Sequence, residues 1–507
     1  MSLRPSAEPL DSFFPLASRY RGILPDGLRL REDALPVRGF SHTERHIQCV
    51  WFDPALRPVG LRTREGEEEV VVEDPGVWNL EAGPDFLGAV IRVGPEQRRL
   101  AGDVEIHIHA QDWRSHHHAE DPRYARVRVH VTYFPGALKS DELPPGTLQL
   151  SLREALAATP AFSFENIEVA AYPFAARAAR PPCQEVLTSW EAPHKQAVLD
   201  AAGHERLRRK AVRFALRKEA VGEEQALFEE VMAALGYQHN KTPMRHLAER
   251  VPLEILRTQA TNPAEALALL LGVAGLLPDS PQARWDDATK AYHRRLWDAW
   301  WKMREKWVGH IMTREAWRLQ GRPANHPVRR LAAAASLFDP RDDLAARWKD
   351  WSSRLGGRAL SRMQRSLQSA SDSYWDRRVS WGGVVARSKV ALVGEDRAQA
   401  LVVNVVVPFL AAGGHAEAIP PEILANLPVE SSNSLIRQTA FNLFGSHHPG
   451  SLYRTGLRRQ GLLQIFHDYC LNDRSRCAAC LFPDLLRAWS AAVSSLTPTK
   501  APLGSLK

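Results

Sequence analysis

At 507 residues the chain exceeds one ordinary domain and is expected to form two or three units. With 44% hydrophobic and 24% charged residues it has a globular make-up, which excludes a disordered chain. A formal net charge of +8 suits a polyanionic partner, although net charge bears on solubility before it bears on function. The longest apolar runs, Ala266 to Leu277 and Ala400 to Ala412, fall short of the ~18 residues of a membrane span. Met1 to Tyr20 carries no signal-peptide core. A cytoplasmic protein with no membrane partner is therefore expected.

Taken in chain order, residues 1–40 are rich in proline and arginine and read as a loosely docked arm. Ser41 to Trp51 reads as a helix capped by Ser41 or Thr43. Alternating segments at Glu69 to Val72, Leu87 to Val93, Gly102 to His109 and Arg126 to Phe134 read as strands of a sheet with one polar face. Residues 41–180 are thus expected to form a mixed α/β domain with an antiparallel-rich sheet. After Pro181-Pro182-Cys183 the apolar spacing turns helical, at Glu205 to Lys218, Gln225 to Leu235, Pro263 to Leu277, Trp285 to Leu319, Asp342 to Leu355 and Gln399 to Leu410. The fold class is α+β, with a mostly helical region over residues 181–490 and a tail over residues 491–507.

The strand Gly102 to His109 holds the most informative pattern. Val104, Ile106 and Ile108 share one face, and Asp103, Glu105, His107 and His109 share the other. A hairpin centred between Pro95 and Glu96 places Asp85 opposite Ile106. A one-residue adjustment of its turn places Asp85 opposite Glu105 or His107, where the two carboxylates converge. Asp85, Glu105 and the carbonyl of Ile106 would then offer oxygens to Mg2+ or Mn2+. Against this stands the ordinary reading of alternating charge as a solvated sheet face. Of His116, His117 and His118, at most two can reach the site, and His130 faces the same side.

Gly83-Pro84-Asp85 at a strand start, then a carboxylate, one residue and a basic residue on the next strand, resembles the PD-(D/E)xK nuclease superfamily. The resemblance implies a restriction-endonuclease-like domain with Glu44, Asp85, Glu105 and His107 as catalytic residues. His107 stands where that superfamily usually has lysine, which brings less positive charge to a transition state. His107-x-His109 with Glu105 and His130 also resembles the metal centre of cupin-type barrels, although their glycine spacing is poorly met. More widely, Asn79 to Phe86, Gly102 to His107, Asp112-Trp113, Gly321 to Asn325, Asn426 to Pro428 and the terminal cysteines resemble an uncharacterised bacterial domain-of-unknown-function family.

Cys470-x6-Cys477-x2-Cys480 has metal-ligand spacing, since Cys-x2-Cys lets two thiolates grip one ion from a tight turn. Cys183 or His467 would complete the set, with Cys183 preferred. An all-thiolate site suits [4Fe-4S] or Zn2+, and the spacing is similar to that of iron-sulfur DNA glycosylases. Closure by Cys183 looks like the iron-sulfur staple of some recombination and CRISPR-associated nucleases. Between Asp279 and Arg365, 19 Lys or Arg stand against 10 Asp or Glu, interleaved with eight tryptophans. Such a stretch suits nucleic acid, DNA or RNA, although tryptophans at helical spacing more often build a core. Arg322, Arg329 and Arg330 are the expected phosphate contacts. The function expected is a divalent-metal-dependent nuclease or a nuclease-derived nucleic-acid-binding protein. A non-enzymatic metal-stapled scaffold and a cupin-like metalloenzyme acting on a small molecule are the alternatives.

Overall fold

The computed structural model describes residues 8–24, 42–79, 83–159, 162–164, 167, 169, 172, 181–237, 240–319, 323–415, 419–429, 434–470, 477 and 480–494. After α1 (Glu8–Phe13), α2 (Ala17–Gly22) and α3 (Glu44–Phe52) comes a seven-stranded sheet. Its strands are β1 (Leu61–Arg62), β2 (Glu69–Asp74), β3 (Val77–Trp78), β4 (Phe86–Val93), β5 (Arg98–His107), β6 (Val127–Thr132) and β7 (Leu148–Ser151). The order is β1-β2-β4-β5-β6-β7, with β3 paired to β4. Pairing is antiparallel as far as β5, whereas β5-β6 and β6-β7 are parallel. An antiparallel bridge between Thr63 and Leu150 brings the last strand back to the first, so the sheet curls on itself.

Parallel pairing of β5 with β6 requires a crossover. Residues 108–126 supply it through α4 (Asp112–Ser115) and two 3-10 turns, His118–Glu120 and Pro122–Arg126. Val104, Ile106, Val129 and Val131 bury one face of the sheet against Ile47, Val50 and Trp51 of α3. Each fully buried Ile or Val there contributes about 1.5–3 kcal/mol. Thr43 starts α3 in a reciprocal cap with His46.

The β4-β5 register follows the hairpin from Val93↔Arg98 to Ala89↔Gly102, then shifts to Phe86↔Val104. The shift is a bulge at Gly88, whose φ of 69° favours glycine and whose N–H donates to Asp103 Oδ1 at 2.9 Å. The one-residue adjustment thus lies within the strand rather than in the turn, and it sets Asp85 across from Glu105.

The chain is α+β. After α5 (Arg153–Ala157) and α6 (Pro182–Thr188), its C-terminal region is helical around the 30-residue α7 (Ala192–Val221). The helices that matter below are α8 (Glu223–Leu235), α9 (Lys241–Arg250), α10 (Pro263–Val273), α11 (Pro327–Leu337), α12 (Gly456–Ile465) and α13 (Phe482–Ser494). Helix α12 lies so close to α7 that a Cβ on Gly461 would meet the Leu199 carbonyl at 2.1 Å. Only glycine fits that crossing.

Two sequence expectations change. Within residues 1–40, the described stretch 8–24 is no loose arm, because Phe14, Ala17 and Tyr20 are buried and Tyr20 Oη donates to Asp468 at 3.0 Å. The run Trp285 to Leu319 is one helix only over Asp287–Met303, then passes into 3-10 turns. No helix among the described residues is long and apolar enough to cross a membrane.

Candidate functional site

The polar face of β5 is not solvated. Asp103, Glu105 and His107 are 5%, 5% and 0% exposed, because the crossover folds back over them with Trp113 and Tyr124 buried beneath it. His107 Nε2 lies 3.2 Å from His116 Nδ1 and 3.2 Å from His118 Nε2. Glu105 Oε1 lies 3.0 Å from His118 Nε2 and 3.5 Å from His107 Nε2. His117 adopts a left-handed conformation, φ 57°, which turns its own ring outward and lets its two neighbours face inward together.

Three imidazole nitrogens therefore converge, and Glu105 Oε1 approaches two of them. A tetrahedral ion with bonds of about 2.0–2.1 Å to nitrogen or oxygen separates its ligands by about 3.3 Å, close to the distances found here. Among the described residues, His107, His116 and His118 are the group whose ligand atoms all lie within 4.8 Å of one another. The donor set fits an ion that accepts imidazole, such as zinc or manganese, better than the all-oxygen shell Mg2+ prefers.

The surroundings keep His107 and His130 neutral, and neutral imidazole is the form that ligates. Burial, followed by the neighbouring His130, His118 and His116, holds His107 well below its usual range. Burial and His118 bring His130 down to about 4. His130 Nε2 lies 2.9 Å from His107 Nδ1, the position of an orienting partner. Tyr124 stacks on His118 with centroids 3.9 Å apart. Burial, then the charges of Glu105 and Asp85, push its phenol upward, so it stays protonated.

Glu105 links this group to Asp85. Its Oε2 accepts the Asp85 N–H at 3.1 Å, while Asp85 Oδ2 accepts the Ile106 N–H at 2.9 Å. Gln48 Nε2 donates to Asp85 Oδ1 at 2.6 Å, and Arg45 Nη1 donates to Gln48 at 3.3 Å. Arg45 also lies 4.0 Å over the Trp78 ring. Glu44 is half-buried one helical turn before Gln48, on the same face of α3. Asp85, Glu105 and His107 thus gather at one end of the sheet, and Glu44 sits one helical turn from the Gln48 that reaches Asp85. His109 does not join them, since its ring is stacked on Phe134 at 4.7 Å.

Sequence reasoning missed Gln48, whose signal was its i+4 spacing from Glu44. It also left open which of the three consecutive histidines would reach the site.

The expected phosphate contacts need correction. Arg329 and Arg330, on α11, are 0% and 4% exposed. Arg329 donates to the carbonyls of Ala324, Trp375 and Val390, and Arg330 to those of Leu392 and Ala324 and to Asn325 Oδ1. Both guanidiniums brace the surrounding loops and present nothing to a phosphate. Arg322 lies outside the described residues. Of the eight tryptophans, Trp285, Trp300, Trp307, Trp317 and Trp348 are buried, while Trp301 is exposed.

Cys183, in the first turn of α6, and Cys480, just before α13, pack against one hydrophobic cluster with Phe482 and Tyr469. Helix α6 packs on α13. The Cys480 N–H donates to the Cys477 carbonyl at 3.3 Å, the turn that Cys-x2-Cys requires. Cys470 packs against the sheet core, and Tyr469 beside it stacks on Phe482 at 4.4 Å. His467 is 56% exposed beside Asp468.

Fold and site together define an α+β protein with a buried histidine and carboxylate centre at one end of a curled mixed sheet. The chain belongs to the family described as protein of unknown function (DUF2851), whose sequence model matches residues 44–423. No curated protein and no solved structure matches it. The matched stretch contains α3, the whole centre and Cys183, and ends before the terminal cysteines.

Proposed function

We propose that this protein is a divalent-metal-dependent nuclease, or a nucleic-acid-binding protein derived from one, whose ion is held by His107, His116 and His118 beside Glu105. The observation that carries this reading is the convergence of three imidazole nitrogens and Glu105 Oε1 within 3.0–3.5 Å of their neighbours. When bound, such an ion supplies a Lewis acid and makes a coordinated water acidic near neutral pH. Asp85, half-buried, has its carboxylate held by Gln48 and the Ile106 N–H. In this reading it would take a proton from an attacking water. Arg45, whose charge interacts with Asp85, brings the positive charge that a lysine would otherwise bring at position 107.

A second reading, the metal-stapled scaffold, is favoured by one observation. Protein donors clustered on a fully buried His107 are also the pattern of a structural ion. The cysteine set belongs to the same proposal: Cys183, Cys470, Cys477 and Cys480 would hold [4Fe-4S] or Zn2+ and clip α6 to the end of the chain.

The deciding experiment incubates the full chain with single- and double-stranded DNA and RNA in Zn2+, Mn2+ or Mg2+, beside Asp85→Asn and His118→Ala. Cleavage that both substitutions abolish supports the nuclease. Salt-dependent binding without cleavage selects the derived binding protein. Neither cleavage nor binding, with the ion still present, leaves the scaffold.

A further inference from the structure

A cavity of about 390 Å³ opens between the β6 and α5 end of the sheet and α9. Its size falls within the roughly 300–1,000 Å³ of small-ligand sites. Arg153, Arg245 and His42 contribute to its lining, and no carboxylate among the described residues does. Arg245 is fixed by Glu230, to which its Nη2 donates at 2.8 Å, while its Nε is buried without a hydrogen-bond partner among the described residues. Arg153 projects from α5 with its guanidinium 5.2 Å over the Phe134 ring.

Three aromatic rings line much of the rest. Phe164 forms the floor, with Tyr133 edge-on at 5.5 Å, Phe162 edge-on at 4.8 Å and His42 stacked at 5.2 Å. Thr242 Oγ1 donates to Ser163 Oγ at 2.7 Å and joins α9 to this floor. Guanidinium groups beside ring faces are the means by which single-stranded nucleic acid is held without sequence readout. The cavity also shares elements with the histidine centre: the Tyr133 N–H donates to the His107 carbonyl at 3.1 Å, and His42 lies two residues before Glu44 at the start of α3.

We propose that this cavity binds one phosphorylated nucleoside, its phosphate between Arg153 and Arg245 and its base against Phe162 and Tyr133. The proposal rests on the nucleic-acid reading and names the part of the substrate that the protein grips beside the centre. The ligand is a unit of a single strand or a free nucleotide.

The test measures binding of two probes to the full chain: a fluorescent, phosphorothioate-linked, 5′-phosphorylated hexanucleotide, and adenosine monophosphate. Wild-type protein is expected to bind at least one probe saturably. Phe162→Ala and Arg153→Gln, neither of which removes a fully buried side chain, are each expected to weaken that binding tenfold or more. Tight binding of the hexanucleotide alone assigns the cavity to a strand, and equal binding of both assigns it to a free nucleotide. No saturable binding of either probe, or variants that bind like wild type, overturns the proposal. Binding that survives His118→Ala while cleavage is absent in wild type leaves the cavity standing and removes the nuclease. Cleavage in wild type with unchanged binding by the cavity variants does the opposite.

Discussion

Replacing His130 with phenylalanine isolates the contribution of a residue that orients the centre without facing the ion. His130 Nε2 sits 2.9 Å from His107 Nδ1. Only when that Nδ1 carries the ring proton does His107 Nε2 keep a lone pair directed at His116, His118 and Glu105. Phenylalanine preserves the edge-on packing against Trp113, now 5.5 Å between centroids, so the volume is nearly kept and the hydrogen bond is lost. Loss of such a partner lowers metal affinity about 10–100-fold, or about 1.4–2.7 kcal/mol. Competition for zinc against a chromophoric chelator, with circular dichroism as the control for folding, reads the change. His130→Gln, whose amide oxygen accepts the same hydrogen bond, should recover most of the affinity. A folded His130→Phe protein that holds zinc as tightly as wild type would refute the tautomer argument.

Other consequences follow from groups away from the centre. Burial on α7 lowers His204 to about 4, against an unfolded value near 6.5. The unfolded chain therefore takes up that proton first, so stability is complete above pH ~6.5 and falls as pH drops toward 4, by about 3 kcal/mol in all. His204→Phe should flatten the fall in urea midpoint between pH 7.5 and 4.5, and an unchanged slope would assign the pH dependence elsewhere. Cys183→Ser should strip the metal of the cysteine centre and lower the melting temperature of the helical region. His467→Ala should leave both intact because that ring is more than half exposed; metal content per chain decides, and the reverse pattern would replace Cys183 by His467. Arg329→Ala leaves buried carbonyls without donors and should cost about 3 kcal/mol of stability. The salt dependence of nucleic-acid binding should not change, and a flatter dependence would restore a phosphate contact.

Much of the site was legible because it depends on strand periodicity. The alternation from Asp103 to His107 assigned the correct faces, and Gly88 within a strand carried the signal of the bulge that aligns Asp85 with Glu105. Burial of that polar face was not legible. It depends on Trp113 and Tyr124 folding back across β5, which is a tertiary event with no local period. His116 and His118 face inward together only because His117 is left-handed, and nothing in three identical residues announces that conformation. Charge misled at Arg329 and Arg330. Their sequence neighbours, Leu331 and Ala332 to Ala335, were the better guide, since a basic residue in so apolar a helix is held by carbonyls rather than by solvent. The parallel pairing of β5 with β6 was hidden because its crossover is short and polar instead of a long helix.

Metal content bears most directly on the central claim. Full-length protein and the His116→Ala, His118→Ala double variant, purified anaerobically, would be compared by inductively coupled plasma mass spectrometry after equilibration with one equivalent of Zn2+ or Mn2+. The geometry predicts that the double variant loses one transition-metal equivalent per chain while any metal at the cysteines remains. Equal metal content in the two proteins would contradict it.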